Sequence, residues 1–298
     1  MRVAVAGSTG FIGSALCARL HGAGHDVLRL VRRPAAGPDE LTWDPVGGVV
    51  EPARLEGVEA VVNLSGAGVG AQRWSRAYKK VIRDSRVQST TTLATTFAGL
   101  DDPPRVFVSA SGVGIYGSDR GRQVLDEDDL PGEGFLARLC VDWEAAAEPA
   151  RAAGIAVCQA RFGVVMHHSG GAIHRMLPFY RFGVGGSLGG GEQFWSHVAL
   201  DDAVRALQFV IEEHGCVGPY NVTAPEPVSN AEFSRVLAQA LRRPSIVAVP
   251  GLALRVVLGE YADEVLGSLR VIPRRLLESG FEFHHPTAPS TVEAALPR

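Results

Sequence analysis

The amino-acid sequence predicts an α/β fold in which a doubly wound parallel sheet is followed by a smaller C-terminal lobe. Short apolar runs that indicate buried strands alternate with helix-compatible stretches through the first half of the chain, which is typical of parallel sheets. After residue 165 the sequence becomes glycine-rich and less regular. We therefore expect a first domain over residues 1–165. A C-terminal substrate or cover lobe is expected over residues 166–298, with some strands returning to the main sheet.

Three glycines lie between the first predicted strand, residues 2–6, and the first predicted helix, residues 14–21. At such a junction Gly7 permits a tight turn, Gly10 lets a pyrophosphate approach, and Gly13 lets the helix pack against the strand. The start of the helix then offers free N–H groups to phosphates. This pattern predicts a Rossmann-type dinucleotide site. Its spacing, G-x-x-G-x-x-G, is one residue longer than the usual fingerprint.

The second predicted strand, residues 26–31, ends in two arginines. An acid at this position holds the ribose 2′-hydroxyl of NAD, whereas an arginine suits the 2′-phosphate of NADP. Arg32 and Arg33 occupy the position, and the first acid after them is Asp39. The pair predicts NADP(H) as the cofactor, and the alternative is a solvated basic turn.

The later elements of the first half follow from apolar runs and from Gly and Pro punctuation. Residues 34–56 are rich in Gly and Pro and are expected to be mostly loop. We expect strands at 59–64, 105–110 and 155–160, and helices at 74–97 and 135–153.

In the C-terminal lobe, the glycine-rich stretch 167–191 is expected to be irregular. It is either a mobile loop or a flexible cover over a substrate pocket. Beyond it we expect strands at 219–222 and 246–250, and helices at 203–213, at 229–241 and in pieces over 252–280.

The composition is that of a folded, soluble protein, with 46% hydrophobic and 20% charged residues. The net charge of -3 suggests neither a nucleic acid nor an anionic membrane as a partner. The four cysteines are scattered, without metal-ligand spacing, so we expect no metal site. The absence of a leader pattern and of a long apolar run points to the cytoplasm.

Several motifs are spread over nearly the whole chain: Gly7-Ser-Thr-Gly-Phe-Ile-Gly13, Val62-Asn-Leu-Ser-Gly-Ala67, Ser109-Ala-Ser111 with Tyr116-Gly117, Trp143-Glu144, Arg161-Phe-Gly-Val-Val165, a W-x-H-x-x-x-D-D stretch ending at Asp202, and residues 271–281. In these motifs the sequence resembles the extended short-chain dehydrogenase/reductase superfamily. Within it, the sequence resembles the sugar-nucleotide-epimerase-like proteins of the SDR39U type. The resemblance implies NADP(H) as cofactor, a small-molecule substrate, and a monomer or homodimer.

Together with the glycine turn and the arginine pair, the resemblance implies a set of cofactor contacts. They are Gly7, Thr9, Gly10, Phe11, Ile12, Gly13, Arg32, Arg33, Leu64, Ser65, Gly66, Arg86, Gly163 and Val164. For Arg86 the alternative is a charge on the helix surface, paired with Asp84 or Glu144.

The catalytic motif departs from that of the superfamily. Its enzymes use a Ser-Tyr-Lys set, with Tyr-x-x-x-Lys on a helix and an acid one turn past the lysine. Taking Glu144 as that acid puts Cys140 at the lysine position and Leu136 at the tyrosine position. Neither side chain can replace the usual residue. This argues against full sugar-nucleotide epimerisation, which needs a strong, positioned base.

Three hypotheses remain for the chemistry. Tyr116, near Ser109 and Ser111, takes over as proton donor; the alternative is an aromatic residue packed at a strand end. In the second hypothesis residues of the cover segment act, either a histidine that shuttles a proton (His197, His167 or His168) or Asp201 and Asp202; the alternative is polar residues held by the backbone. His197 and Arg175 are the candidates for substrate contacts. In the third hypothesis the protein binds NADP(H) without catalysis and serves in redox sensing or regulation. We favour reduction of a small carbonyl or sugar-nucleotide-like compound.

Overall fold

The computed structural model describes residues 1–213, 215–245 and 248–297 of the chain. Its strands, in chain order, are β1 (Arg2–Ala6), β2 (Asp26–Val31), β3 (Glu40–Asp44), β4 (Val49–Val50), β5 (Ala60–Asn63), β6 (Val106–Gly112), β7 (Val124–Leu125), β8 (Ala156–Phe162), β9 (Val164–His167), β10 (Phe194–Trp195), β11 (His197–Ala199), β12 (Gly218–Val222), β13 (Val228–Ser229) and β14 (Arg270–Val271).

Helices connect these strands. They are α1 (Phe11–Gly22), α2 (Arg76–Ala98), α3 (Phe135–Ala145), α4 (Glu148–Ala152), α5 (Gly171–Arg181), α6 (Leu200–Glu212), α7 (Asn230–Ala240), α8 (Gly251–Leu258), α9 (Tyr261–Leu266), α10 (Arg274–Glu278) and α11 (Ala288–Ala295), with short 3-10 helices at Pro52–Arg54 and Val113–Tyr116.

The main sheet has the strand order β12-β8-β6-β5-β1-β2-β3-β4. All neighbouring strands run parallel except β4, which pairs antiparallel with β3 at one edge. The order along the chain reverses at β1, which lies between β2 and β5. In open α/β sheets, ligands bind outside the carboxyl ends of the strands at such a switch point. The predicted Rossmann-type fold is confirmed.

The two faces of β1 show how the sheet is covered. Val3 and Val5 pack into a core with residues of α1 and α6, whereas Ala4 and Ala6 pack into a second core with residues of α2. Alternate side chains of a strand point to opposite faces, so a strand with helices on both sides is apolar throughout. Full burial of each valine contributes about 1.5–3 kcal/mol.

The C-terminal part of the chain has a core of its own and also returns to the main sheet. Met166, Ile173, Leu177, Phe233 and Val292 are buried together, in β9, α5, α7 and α11. The intervening α6 packs on α1, and β12 pairs with β8 in the main sheet. A domain division at residue 165 stays a prediction.

One local prediction is incomplete and another is wrong. Residues 34–56 are mostly loop, as predicted, but they also contain β3, which joins the main sheet beside β2, and β4. Residues 167–191 are not irregular throughout, because α5 forms there. Its buried residues Ile173, Leu177 and Tyr180 lie at helical spacing. Of the strand expected at 246–250, residues 246 and 247 lie outside the described residues, and Val249 forms a bridge to Leu188.

Candidate functional site

The glycine turn between β1 and α1 forms one side of the candidate site. Gly7 has a φ of +76°, a conformation that residues with a side chain rarely adopt. A Cβ on Gly13 would lie 2.1 Å from the Gly7 carbonyl oxygen, so the helix requires glycine there. Thr9 and Gly10 are exposed, and no side chain caps the start of α1. The turn therefore presents the uncapped helix N-terminus that anions bind.

The segment after β5 lies directly against this turn. A Cβ on Gly7 would lie 2.7 Å from the Leu64 carbonyl group. The segment is held by the buried Asn63, whose Oδ1 accepts a hydrogen bond from the Ser65 N–H at 3.1 Å. Its Nδ2 donates to Thr90 Oγ1 at 2.9 Å. The predicted contacts Leu64 and Ser65 are thus brought beside the glycine turn.

Arg86 also holds this segment in place. Its Nη1 donates to the carbonyl oxygens of Ala67 and Ile82, at 2.9 and 3.0 Å. The guanidinium lies 5.0 Å from the centre of the Trp143 ring and against Gly66. It is buried, and that burial lowers its pKa. Among the described residues Arg86 pairs with no carboxylate, so it is not the surface ion pair considered as the alternative.

The two arginines after β2 have different surroundings. Arg33 donates to both carboxylate oxygens of Glu40 at 2.7 Å, and these hydrogen bonds hold the pKa of Glu40 at about 2. Arg32 is exposed and makes no hydrogen bond or ion pair with the described part of the chain. Arg32 is therefore the residue available to a ligand, while Arg33 already holds a buried acid.

Phe11 connects the glycine turn to the cover lobe. A Cβ on Gly170, at the start of α5, would lie 2.5 Å from the Phe11 ring, so the ring packs on the backbone there. Gly163 is held equally closely, because a Cβ there would lie 2.2 Å from the Ser196 carbonyl oxygen. The N–H of Val164 donates to the same oxygen at 2.8 Å. Ile12 is half-buried beside Phe11.

The candidate catalytic residues belong to a buried polar network. Ser111 Oγ donates to Glu144 at 2.7 Å, and Arg161 donates to both carboxylate oxygens of Glu144 at 2.9 Å. Arg161 also donates to the Tyr116 hydroxyl at 3.0 Å, and that hydroxyl donates to Asn221 at 2.9 Å. Burial raises the pKa of Tyr116 to about 12. Because its hydroxyl has two protein partners and no solvent access, this geometry favours a structural role.

The positions of the absent Tyr-Lys pair lie at the carboxyl end of β6. Leu136 is 3.1 Å from where a Cβ on Gly114 would be, and the Cys140 sulfur is 4.0 Å from the equivalent point on Gly112. Burial raises the pKa of Cys140 to about 11, so it supplies neither a cation nor a ready thiolate. Ser109, in β6 itself, is 1% exposed. None of these side chains offers an accessible proton donor.

On the cover lobe, α5 and α9 reach the loop that follows β5. Arg175 Nη1 donates to the Gly70 carbonyl oxygen at 2.8 Å. The Tyr261 ring lies over the same glycine and 5.4 Å from the Trp74 ring, between centroids. Glu264, one turn along α9, makes no hydrogen bond or ion pair with the described residues, and burial raises its pKa to about 7. This polar group remains available to a ligand.

The other substrate candidate, His197, lies in the protein interior. It is 0% exposed, packs against Phe233, and burial lowers its pKa to about 4. Nearby, Asp201, Asp202 and His284 bring possible metal-ligand atoms within 4.8 Å of one another. The fully buried Asp202 already accepts the His284 backbone N–H at 2.9 Å. The packing of His197 and the hydrogen bond of Asp202 are contacts that stabilise the fold.

Two features of the site were not predicted from the sequence. The Arg161–Glu144 ion pair had one available signal, since a charged residue at the end of an apolar, buried strand needs a partner. Tyr261 and Glu264 lie in a segment predicted only as helical in pieces, and no motif marks them. Within the described residues, no helix is both long and apolar enough to cross a bilayer.

Comparisons with known proteins show the family and support the fold. The family model described as the NAD dependent epimerase/dehydratase family matches residues 3–223, and a domain of unknown function, DUF1731, matches residues 249–295. An epimerase family protein of Mycobacterium tuberculosis is 47% identical over 286 residues, which cover 96% of this chain and 94% of that protein.

Two crystal structures resemble the whole chain. That of human epimerase family protein SDR39U1 (isoform 2) with NADPH has a TM-score of 0.89 at 32% identity and covers 99% of both chains. That of a nucleoside-diphosphate sugar epimerase from Corynebacterium glutamicum has a TM-score of 0.79 at 33% identity. It covers 99% of this chain and 58% of that one.

Proposed function

The chain belongs to the NAD-dependent epimerase/dehydratase family, and from this premise we propose that it binds NADP(H) and reduces a small carbonyl compound. One observation carries the proposal. The uncapped start of α1 lies at the switch point of the sheet, and Arg32, which has no partner among the described residues, follows the neighbouring strand β2. The first feature suits a pyrophosphate and the second suits a 2′-phosphate.

The residues present fit this cofactor. The N–H groups from Gly10 to Ile12 would hold the pyrophosphate, Arg32 the 2′-phosphate, and the Leu64–Ser65 backbone the adenosine side. Arg86 would keep that backbone in place through the Ala67 carbonyl. When bound, NADPH supplies a hydride for a carbonyl carbon. The human relative SDR39U1, crystallised with NADPH, supports the assignment.

Arg175 indicates the class of substrate. Its guanidinium lies at the loop after β5, where it could bind a carboxylate or phosphate with two parallel hydrogen bonds. We therefore propose a small acidic or phosphorylated carbonyl compound. A sugar-nucleotide-like compound is within this class, since it carries phosphates. The protein is expected to act without a nucleic acid or membrane partner.

A fluorescence titration with NADPH and NADH tests the cofactor assignment. Arg32→Ala should weaken NADPH binding about 10- to 100-fold, because hydrogen bonds to a charged group contribute about 1.5–3 kcal/mol. NADH binding should not change, since NADH has no 2′-phosphate. Arg122→Ala, which removes another exposed arginine without an ion pair among the described residues, is the matched control.

Three outcomes contradict parts of this proposal. If NADH binds as tightly as NADPH, Arg32 is only part of a basic turn. If neither binds, the whole proposal fails. If NADPH binds but neither the activated dicarbonyl phenanthrenequinone nor any of a panel of carboxylated and phosphorylated carbonyl compounds is reduced, as followed by NADPH absorbance, the reductase assignment fails.

A non-catalytic NADP(H)-binding role is the second candidate. It is favoured by the burial of Ser109, Ser111 and Tyr116, and by Leu136 and Cys140 at the usual Tyr and Lys positions. A protein of this kind would bind NADPH without turnover and would change its outer surface on binding. Hydrogen exchange measured with and without NADPH would detect such a change.

A further inference from the structure

Three separate segments meet at Gly70, in the loop between β5 and α2. A Cβ placed there would lie 2.9 Å from Tyr261 Cε1 and 3.0 Å from Arg175 Nη1. Arg175 belongs to α5 and Tyr261 to α9, so both parts of the cover lobe converge on one point of the loop. The phenol ring and the guanidinium are therefore close neighbours beside the loop that leads from the carboxyl end of β5.

Tyr261 packs against the same buried cluster as Leu136, the residue at the family's tyrosine position. Tyr261 and Leu136 both pack against one buried cluster, formed by Trp74, Tyr78, Ile82 and Leu139. Leu136 in turn lies beside Gly114, just after β6. Tyr261 thus approaches, from the cover lobe, the cluster that also carries the side chain at the family's tyrosine position.

The Tyr261 hydroxyl differs from the hydroxyls of three other tyrosines. Tyr78, Tyr116 and Tyr180 each donate to an oxygen of the protein. Tyr261 is half-buried, and its hydroxyl has no hydrogen-bond partner among the described residues. A hydroxyl that has no protein partner is the form that a proton donor needs.

We propose that the Tyr261 hydroxyl is the proton donor of the reduction and that the Arg175 guanidinium is its neighbouring cation. The proposal rests on the proposed function, because the hydroxyl acts on a carbonyl substrate. Together the two residues replace the Tyr-Lys pair whose positions Leu136 and Cys140 occupy. The phenol comes from α9 and the cation from α5, rather than both from α3.

The reduction adds a hydride and a proton to the carbonyl group. The carbonyl carbon gains a hydride, with its two electrons, from bound NADPH, and a C–H bond forms. The π pair of the C=O bond moves to the oxygen, which takes the proton of Tyr261. The products are an alcohol, NADP+ and a tyrosinate, and solvent returns the proton to the tyrosinate.

The charges around Tyr261 agree with this direction of transfer. Burial raises the pKa of Tyr261, the positive charge of Arg175 lowers it, and the negative charge of Glu264 raises it. The phenol is therefore protonated at neutral pH, as a donor must be. Asp263 and Glu260 of the same segment add to the negative charge around Glu264.

The kinetic test compares two hydroxyl deletions in the cover lobe. Tyr261→Phe should lower kcat for NADPH-dependent reduction of phenanthrenequinone about 100-fold, within the range for general acid catalysis. The dissociation constant of NADPH should stay within about twofold. Tyr180→Phe, which removes a hydroxyl bonded to the Gly186 carbonyl oxygen, is the matched control and should retain turnover.

A spectroscopic test does not depend on turnover. The five tyrosines can be labelled with 13C at Cζ, and Tyr261→Phe assigns the signal of Tyr261. We expect NADP+ to shift that signal. Arg175→Met should raise the pKa read from a pH titration of the signal, because it removes the positive charge. A Tyr261 signal unaffected by both changes would overturn the proposal.

Failure of this inference is distinguishable from failure of the proposed function. If the wild-type protein binds no NADPH or reduces no carbonyl, the proposed function fails and this inference with it. If the wild type turns over and Tyr261→Phe retains its full kcat, only the assignment of Tyr261 is overturned.

Discussion

Two groups of polar side chains in this molecule differ in how completely the protein satisfies them. In the buried network of Ser111, Glu144, Arg161 and Tyr116, each side chain has at least one hydrogen-bond partner in the protein. In the group on the cover lobe, the Tyr261 hydroxyl and the Glu264 carboxylate have none among the described residues. Motif residues of the first half of the chain thus stabilise the fold through hydrogen bonds, while the unsatisfied groups of the C-terminal part have no protein partner among the described residues and carry our proposal.

The largest expected effect comes from removing Arg161, the cation at the centre of the buried network. Arg161→Met should lower the free energy of unfolding by about 3–5 kcal/mol, because it leaves the Glu144 carboxylate buried without its cation. Denaturation by urea, followed by circular dichroism, measures this loss.

A surface ion pair provides the control for that substitution. Arg83 Nε lies 2.8 Å from Asp142 Oδ2, and both side chains are about half exposed. Arg83→Met should therefore lower the free energy of unfolding by less than about 1 kcal/mol. Equal losses for the two variants would contradict the view that burial makes the Arg161–Glu144 pair structurally important.

A smaller effect is expected from Tyr116→Phe, which removes only the hydroxyl between Arg161 and Asn221. Each of these partners loses one hydrogen bond inside the protein, so the free energy of unfolding should fall by about 1–3 kcal/mol. Thermal unfolding of the variant beside the wild type measures the change. If the Tyr116→Phe variant kept the stability of the wild type and lost all turnover, Tyr116 would have a chemical role instead of a structural one.

The smallest effect concerns Glu264 and depends on pH. Its pKa is about 7 in the folded protein and close to 4.5 when unfolded, so the folded state binds more protons between these values. The contribution of Glu264 to stability is therefore greatest below about pH 4.5 and is lost as the pH rises through 7. Glu264→Gln removes this penalty and should stabilise the protein by about 1–2 kcal/mol at pH 8, with no gain at pH 4.

Urea denaturation at several pH values checks this prediction. Glu192→Gln, which removes the charge of an exposed glutamate, is the matched control. If Glu264→Gln raised the free energy of unfolding by the same amount at pH 4 and pH 8, burial would not be what destabilises the charged form of this carboxyl group.

The sequence was sufficient for the elements whose pattern is local. β1 and β2 have the predicted bounds, because each is a continuous apolar run between clear turn residues. β3 was not recognised, because its apolar residues are few and lie among glycines and prolines. Its buried Glu40 is paired with Arg33 and Arg29, which come from β2 and the residues after it, and a local pattern cannot reveal these partners.

The candidate site divides in the same way. The glycine turn and Arg32 could be identified because their chemistry depends on position along one βαβ unit. His197 looked chemically useful in the sequence, yet it is fully buried. Tyr261 was missed because its neighbours Gly70 and Arg175 are far away in the chain, and only the tertiary fold brings them together.

The return of the chain to β12 has a consequence for how the protein is made. A sheet that forms before residues 218–222 leave the ribosome would have β8 as its outermost strand, and the N–H and C=O groups on the edge that β12 covers in the folded protein would be unpaired. Such an edge can recruit strands of other molecules. The whole segment that contains α5 and α6 is synthesised during this interval. We therefore expect translation rate and chaperones that act on that intermediate to influence the yield of native protein before any ligand is bound.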